Sequence, residues 1–149
     1  MPHRVATSSS AELTHARALL RRANLRATAP RLTVLQMLVR ERRPLSHAEV
    51  ARDLQAKGFD RVTVFRNLND LAEAAILLRV DVGDHTWRFE LRSGDDLAGS
   101  RHSHFVCERC SSVSCLNDFS ANSLPRTRAL GAIVASVSEV VLHGYCRQC

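Results

Sequence analysis

The chain has no long run of apolar residues, which argues against a membrane-spanning helix. Such a helix needs about 20 consecutive apolar residues, and no stretch of the 149 residues approaches that length. The first ten residues also lack the apolar core of a secretory signal peptide. We therefore expect a cytoplasmic protein that has no membrane partner.

The His-Glu-x-x-His pattern of zinc hydrolases is also missing. In those enzymes the glutamate activates a water molecule that occupies an open position on the metal ion. The cysteines that are the strongest metal-binding candidates leave no position open, because four thiolates complete the coordination of zinc. An enzyme with a small-molecule substrate is therefore not expected.

Two cysteine pairs are the most informative feature that the sequence does contain. Cys107 and Cys110 are separated by two residues, and Cys146 and Cys149 repeat that spacing. A tight turn lets both sulfurs of a pair face one ion, and two pairs complete a tetrahedral four-cysteine site for structural Zn²⁺. Disulfides and buried free thiols are the alternatives, although cytosolic thiols stay reduced. One bound ion would clamp a small domain.

Charge is unevenly distributed along the chain. Residues 1–92 hold 16 basic side chains of arginine and lysine against 10 acidic ones, whereas residues 93–149 hold 5 of each. The basic excess therefore lies apart from the cysteine pairs. This division favours a nucleic-acid-binding part joined to a metal-binding part. A solvated basic surface is the alternative.

Apolar periodicity and capping signals predict four helices in the first 92 residues. Pro30 suits the first turn of the second helix, and Ser46 with Glu49 fits a capping box for the third. The expected helices are, in chain order, Ala11–Ala23, a segment from Pro30 to a stop at Pro44, a segment from Ser46 to Gly58, and one that starts near Thr63.

The predicted fourth helix has two different faces. Phe65, Leu68 and Leu71 fall on one apolar face. Arg66 and Asn67 fall mostly on the opposite face. A helix with these faces can pack on a domain and still present polar side chains to a partner.

Alternating residues after this helix predict a β-hairpin with its turn at Gly83 and Asp84. Trp87 and Phe89 fall on one face of the second strand, and Glu90 points away from them. Helices followed by a hairpin are typical of a winged helix-turn-helix, in which the fourth helix would enter the major groove of double-stranded DNA. A small helical domain whose polar face is only hydrated is the alternative.

Four motifs resemble, in the same order, those of the ferric uptake regulator (Fur) family. Residues 25–32 (LRATAPRL) resemble its opening motif, and residues 63–68 (TVFRNL) resemble its recognition-helix motif. Residues 102–110 (HSHFVCERC) resemble its H-x-H-x-x-C-x-x-C signature, and the pair Cys146 and Cys149 completes the set. The resemblance covers nearly the whole chain, which looks like a metal-responsive transcriptional repressor.

The resemblance implies an α+β fold, with an N-terminal winged helix-turn-helix domain and a small C-terminal α/β dimerisation domain clamped by the four-cysteine zinc site. The domains would span residues 1–92 and 102–149, with a hinge at 93–101. Family members bind palindromic operators as homodimers when a regulatory metal fixes the angle between the domains. Metal binding favours that arrangement only if ligands come from both sides of the hinge.

By the same resemblance, five residues would contact DNA. Arg66 would meet bases or phosphates beside Thr63 and Phe65, because the arginine fork pairs with guanine or phosphate. Phe65 replaces the usual tyrosine and keeps an apolar face for a thymine methyl group. Arg26 would reach the minor groove, and Arg31 follows the motif's proline. Each arginine is alternatively a solvated surface residue.

The resemblance also implies a regulatory metal site. Its predicted ligands are Glu90, His102, His104 and Cys115, with His85 as an alternative and Asp84 as a further one. Cys115 stands where the family usually has a carboxylate. A thiolate with imidazoles favours Zn²⁺ over Fe²⁺ or Mn²⁺, so zinc sensing is the first expectation.

One departure from the family pattern keeps two alternatives open. Pro44 occupies the position of a histidine that family members often supply just after the second helix. One alternative is a Fur-like regulator that has lost metal switching and keeps only the structural zinc. The other is a peroxide-responsive member, which would need iron held by histidine and carboxylate, and Cys115 disfavours that geometry.

Overall fold

The computed structural model describes residues 6–92, 103–119, 123, 127–131 and 139–149. The chain divides into two compact units, residues 1–92 (unit 1) and residues 93–149 (unit 2). Each unit contains helix and sheet, so the predicted α+β class is confirmed. The predicted hinge at 93–101 lies outside the described residues.

Residues 6–92 of unit 1 form four helices and a three-stranded sheet. The helices are α1 (Ala6–Arg22), α2 (Ala29–Glu41), α3 (His47–Gln55) and α4 (Arg61–Glu73). The strands are β1 (Leu45–Ser46), β2 (Leu77–Val80) and β3 (Arg88–Leu91). The sheet order is β1-β3-β2 with antiparallel pairing throughout. Helices α3 and α4 followed by the β2–β3 hairpin form a winged helix-turn-helix.

An apolar core holds the elements of unit 1 together. Each of the four helices contributes completely buried leucines, including Leu20, Leu35, Leu54 and Leu68, and β3 contributes Phe89. Burying one such side chain stabilises the fold by roughly 1.5–3 kcal/mol. Packing on this core fixes α3 and α4 relative to each other and leaves one face of α4 on the surface.

Capping residues set where α3 and α4 begin. Ser46 Oγ accepts the Glu49 N–H at 3.2 Å, and the Glu49 carboxylate accepts the Ser46 N–H at 2.8 Å, which confirms the predicted capping box. Burial alone would raise the pKa of Glu49, but hydrogen bonds from Ser46 and Arg43 outweigh it and lower that pKa. Asp60 Oδ1 accepts the Thr63 N–H at 2.9 Å, so α4 begins two residues before the predicted position.

Two other helix ends differ from the sequence prediction. Helix α1 begins at Ala6, earlier than the predicted Ala11. Helix α2 already ends at Glu41, because Arg42 takes a left-handed conformation with φ of 51° and donates its N–H back into the last turn. Pro44 therefore lies after the helix and does not stop it.

The buried face of α4 also differs from the predicted one. Val64 and Asn67 are buried beside Leu68, whereas Phe65 is 53% exposed. Asn67 is satisfied there because its Nδ2 donates to the Thr63 carbonyl oxygen at 2.7 Å. Apolar periodicity grouped Phe65 with Leu68 and Leu71, which are buried, but its ring lies on the surface of the unit, as a contact with DNA requires.

The connection between β2 and β3 is longer than the predicted turn. Residues 81–87 form it, and Trp87 is 58% exposed, which corrects its predicted place on the apolar face. Arg88 is 5% exposed, because its two terminal nitrogens donate to both carboxylate oxygens of Asp84 at 2.9 and 2.7 Å. Gly83 has φ of +90°, a conformation that favours glycine. An ion pair thus buries an arginine that simple alternation would leave exposed.

The described residues of unit 2 form a second three-stranded sheet. Its central strand β4 (Ser103–Cys107) pairs antiparallel with β5 (Val113–Leu116) and parallel with β6 (Val141–Gly144), and a short helix α5 (Arg128–Gly131) precedes β6. Cys107, at the end of β4, is paired with Gly144 at the end of β6. Both cysteine pairs therefore reach the same end of the sheet. Among the described helices of both units, none is long and apolar enough to cross a membrane.

Candidate metal centre and nucleic-acid interface

The four predicted zinc ligands lie together at the end of the unit 2 sheet. The sulfur atoms of Cys107, Cys110, Cys146 and Cys149 are all within 4.8 Å of one another. The Cys107 and Cys149 sulfurs are 3.3 Å apart, and the Cys110 and Cys146 sulfurs are 3.8 Å apart. Zinc–sulfur bonds of about 2.3 Å place tetrahedral sulfurs about 3.8 Å from one another. The cluster therefore has the size and the donor set for a tetrahedral zinc ion.

The thiols of this cluster differ in how readily they lose a proton. Backbone N–H groups of Cys110 and Cys146 lower the pKa of Cys107 to about 5, because hydrogen bonds to a thiolate favour the charged form. The neighbouring Cys146 and Cys107 side chains raise the pKa of Cys149 to about 12. The thiolate form is thus favoured at Cys107 and disfavoured at Cys149, and a bound cation would offset the charge of four neighbouring thiolates.

Arg109, which lies between the first two cysteines, holds the last ligand in place. Its Nη1 donates to the Cys149 carbonyl oxygen at 2.7 Å, and its guanidinium lies 5.6 Å from the centre of the Tyr145 ring. The hydrogen bond and the cation–π contact join the two cysteine-bearing turns. No spacing signal in the sequence distinguishes this arginine from a solvated one.

Replacing Arg109 with alanine is expected to speed the release of zinc from the loaded cluster roughly tenfold. This is the lower end of the effect of losing a group that hydrogen-bonds to a metal ligand. The reason is that Cys149 loses the hydrogen bond that anchors its backbone. Transfer of zinc to a chromophoric chelator, followed by absorbance, measures the rate. Arg147→Ala is the matched control, because Arg147 is an exposed arginine between the other two cysteines. Equal release rates for the two variants would contradict an anchoring role.

Two of the predicted regulatory ligands are cross-strand neighbours in unit 2. His104 on β4 is paired directly with Cys115 on β5, so their side chains lie on the same face of the sheet. His104 is 2% exposed, and its Nδ1 lies 3.5 Å from a carboxylate oxygen of Glu139. A carboxylate that accepts a hydrogen bond from Nδ1 orients an imidazole so that Nε2 faces a metal ion, and Glu139 lies just beyond hydrogen-bond distance. The predicted ligand His102 lies outside the described residues.

The remaining predicted metal ligands belong to unit 1. Glu90 lies on β3 and is 5% exposed, although alternation with Phe89 suggested an outward-facing carboxylate. His85 is exposed in the loop before β3 and has φ of 58°. Hydrogen bonds, the largest from Arg88, lower the pKa of Asp84. Because both Asp84 oxygens already accept from Arg88, the structure argues against Asp84 as an alternative ligand.

The outer face of α4 carries two of the five residues that were predicted to contact DNA, Phe65 and Arg66. Phe65 and Arg66 are exposed, and Val62 is 57% exposed. Residues three and four positions apart lie on the same side of a helix, so these three side chains project together. Thr63 differs from them, because its hydroxyl donates to Asp60 Oδ2 at 2.6 Å as part of the helix cap.

Arg31 and Arg26 occupy different environments near the start of α2. Arg31 donates from Nη2 to Asp70 Oδ2 on α4 at 2.8 Å and from Nη1 to the Arg26 carbonyl oxygen at 3.2 Å, and its side chain is 17% exposed. Its guanidinium thus supports α4 from within the unit, which argues against the predicted DNA contact. Arg26 is exposed, and with Arg17 and Arg21 it lines a surface cavity of about 560 Å³. That cavity is basic and open to a phosphate-bearing partner.

These observations define a class of protein. A winged helix-turn-helix presents an exposed, arginine-bearing helix, and the same chain carries a separate cluster of four cysteines that could hold a metal ion. The combination is that of a transcriptional regulator linked to a metal ion.

Comparisons with known proteins identify the family within this class. The Ferric uptake regulator family matches residues 22–135. A ferric uptake regulation protein of Bordetella parapertussis is 30% identical over 135 residues, which cover 87% of this chain and 93% of the relative. The peroxide operon regulator of Bacillus subtilis is 26% identical over 144 residues, which cover 93% of both chains. The crystal structure of the Vibrio cholerae ferric uptake regulator matches with a TM-score of 0.64 at 27% identity, covering 89% of this chain and 99% of that one. This chain belongs to the ferric uptake regulator family, whose members are transcriptional regulators and not enzymes.

Proposed function

We propose that this protein is a metal-responsive repressor that binds palindromic DNA operators as a homodimer. The observation that carries the proposal is the outer face of α4, where Val62, Phe65 and Arg66 are exposed at the position of a recognition helix. Apolar side chains suit thymine methyl groups, and arginine suits guanine or phosphate. The basic excess of residues 1–92 supports contact with the DNA backbone.

The cysteine cluster supports a structural Zn²⁺ ion as the second part of the proposal. The four cysteines would hold the ion beside the paired ends of β4 and β6. Binding of such an ion is coupled to folding, because the site does not exist in the unfolded chain. The ion would thereby stabilise the unit through which the protein dimerises.

A second, regulatory metal ion forms the third part of the proposal. The proposed ligands are His104, Cys115, His102 and, from unit 1, Glu90. The direct pairing of His104 with Cys115 supports it, and Glu139 is suited to orient His104. A thiolate with imidazoles favours Zn²⁺ over Fe²⁺ or Mn²⁺. Ligands from both units would couple metal binding to the arrangement of the units, which is what a metal switch requires.

Replacing Cys115 with serine is expected to weaken binding of the regulatory zinc by roughly 10–100-fold or more. Loss of a group that only hydrogen-bonds to a metal ligand already has an effect of that size, and Cys115 is proposed to be a ligand itself. A competition titration against a fluorescent zinc chelator measures the affinity. Ser114→Ala, at the exposed neighbouring position on β5, is the control and should bind zinc normally. Unchanged occupancy and affinity in the serine variant would exclude Cys115 as a ligand.

The test of the whole proposal is the metal content per protomer before and after mild chelation, with palindromic DNA binding assayed in both states. Two zinc ions falling to one, with loss of DNA binding, would support a zinc-responsive repressor. One zinc ion throughout, with unchanged DNA binding, would indicate a regulator that has lost metal switching. Pro44 at the family histidine position favours that second candidate. Bound iron, with DNA binding abolished by peroxide, would indicate a peroxide-responsive regulator.

A further inference from the structure

His47 lies where the two helices of the helix-turn-helix meet. It is the first residue of α3, directly after the cap residue Ser46, and it is partly exposed. Its Nε2 is 3.1 Å from the carbonyl oxygen of Arg61, the first residue of α4. Its ring centroid is 5.6 Å from that of Phe65, with an interplanar angle of 85°. One side chain therefore contacts both the start of α4 and the ring that α4 exposes.

The hydrogen bond determines how the imidazole of His47 is held. A carbonyl oxygen only accepts hydrogen bonds, so Nε2 must carry the proton that is shared with Arg61. The imidazole is anchored at this nitrogen, and its near-perpendicular contact with Phe65 is an arrangement that aromatic pairs prefer. The anchored ring of His47 in turn restricts where the Phe65 ring can lie.

Phe65 benefits from such a restriction because about half of its surface faces solvent. It is 53% exposed, whereas its neighbour Val64 is fully buried and held by the core. An exposed side chain on a helix samples more than one staggered rotamer. Fixing it only when DNA binds lowers affinity, whereas fixing it beforehand avoids that loss.

We propose that His47 is a specificity-determining positioning residue, which holds the Phe65 ring in the orientation that contacts a thymine methyl group in the major groove. The inference rests on the proposed function as a DNA-binding regulator. The methyl group is what distinguishes thymine from uracil, the base of deoxyuridine, which has the same hydrogen-bonding groups. The contribution of His47 should therefore appear as discrimination between these two bases.

The experiment uses the full-length, metal-loaded protein. Selection from a random duplex library first identifies the preferred site, and each thymine of that site is then replaced by deoxyuridine. Wild-type protein is expected to lose about fourfold in affinity at one thymine of each half-site, the effect of one buried methyl group. Phe65→Ala is expected to lose this discrimination, which identifies the ring as the group that contacts the methyl.

His47→Ala is expected to reduce the discrimination to less than about twofold and to weaken binding of the thymine site about 3–10-fold, the effect of losing a preorganised side chain. His47→Gln keeps a donor for the Arg61 carbonyl oxygen but has no ring, and it should behave as His47→Ala does. Gln55→Ala, at an exposed position on the same helix, is the control and should match wild type. Equal affinities of all variants for a random duplex would show that the fold is intact.

Three outcomes would overturn the inference. Wild-type protein that does not distinguish thymine from deoxyuridine would show that Phe65 reads no methyl group. Normal discrimination in His47→Ala, or full restoration by His47→Gln, would show that the imidazole ring does not position Phe65. These results differ from failure of the proposed function, because in that case the selection enriches no sequence at all.

Discussion

Replacing Cys107 with serine is expected to abolish structural zinc binding, unfold unit 2 and prevent dimer formation. Cys107 is fully buried, and its sulfur lies 3.3 Å both from the Cys149 sulfur and from the Cys146 backbone nitrogen. Structural zinc sites of this kind contribute about 10–16 kcal/mol in small domains, which is comparable to the entire stability of a domain. Zinc content, circular dichroism and analytical ultracentrifugation together measure the three losses.

The matched control for this variant is Cys115→Ser, which changes the same residue type outside the four-cysteine cluster. It should keep one zinc ion per protomer and remain a dimer. A Cys107→Ser protein that still dimerises with one bound zinc ion would show that the cluster does not clamp unit 2. A protein that loses zinc but keeps a folded dimer would assign dimerisation to the apolar packing of the unit alone.

Replacing Arg66 with alanine is expected to remove sequence preference more than overall DNA affinity. Arg66 is exposed on α4 beside Phe65 and Val62, where a guanidinium can pair with guanine in the major groove. One such pair contributes about 1–3 kcal/mol of discrimination against the wrong base. The affinities for the selected operator and for a random duplex are measured at the same salt concentration. Their ratio is the sequence preference, and it should fall in the Arg66→Ala variant.

The control for Arg66 is Arg52→Ala, which removes the same charge from a well-exposed side chain on α3. Both variants should show a similar small loss on random DNA, because each removes one positive charge. Only Arg66→Ala should lose its preference for the operator. If Arg66→Ala weakens binding equally on all sequences and reduces the salt dependence by about one counterion, Arg66 contacts a phosphate instead.

Features that are contained in short stretches of sequence could be predicted. The cysteine spacing predicted sulfurs that can share one ion, and they lie within 4.8 Å of one another. The capping box of Ser46 and Glu49 was predicted because all of its atoms come from four consecutive residues. The resemblance of several motifs in order predicted the α+β fold and the family. In each case the feature depends on residues that are close in the sequence or belong to a known motif.

Features that depend on packing between distant residues could not be predicted. Val64 and Phe65 are adjacent and both apolar, so periodicity alone does not decide which one the core accepts. Arg88 was missed for a different reason, because strand alternation predicts an outward-facing side chain, whereas two hydrogen bonds to Asp84, four residues earlier, accompany its burial. Apolar periodicity alone identifies neither the exposed ring of Phe65 nor the buried side chain of Arg88.

The position of the Glu139 carboxylate beside His104 could not be predicted for a similar reason. Glu139 lies far from His104 in the chain, and β6, which follows it, brings it close by pairing in parallel with β4. A parallel pairing requires a long connection, and no turn signal announces it. The contact of His47 with Phe65 likewise depends on how α3 packs against α4.

The parallel pairing of β4 with β6 also affects the order in which the chain folds. The two strands are joined only through residues 108–140, and closing so long a loop costs entropy before the sheet can form. Unit 1 contains none of the cysteines and is synthesised first, so we expect it to fold while translation continues. Unit 2 must wait until the second cysteine pair has been made and an ion is available. Refolding with and without zinc should therefore show one phase that is independent of the metal and a slower one that requires it.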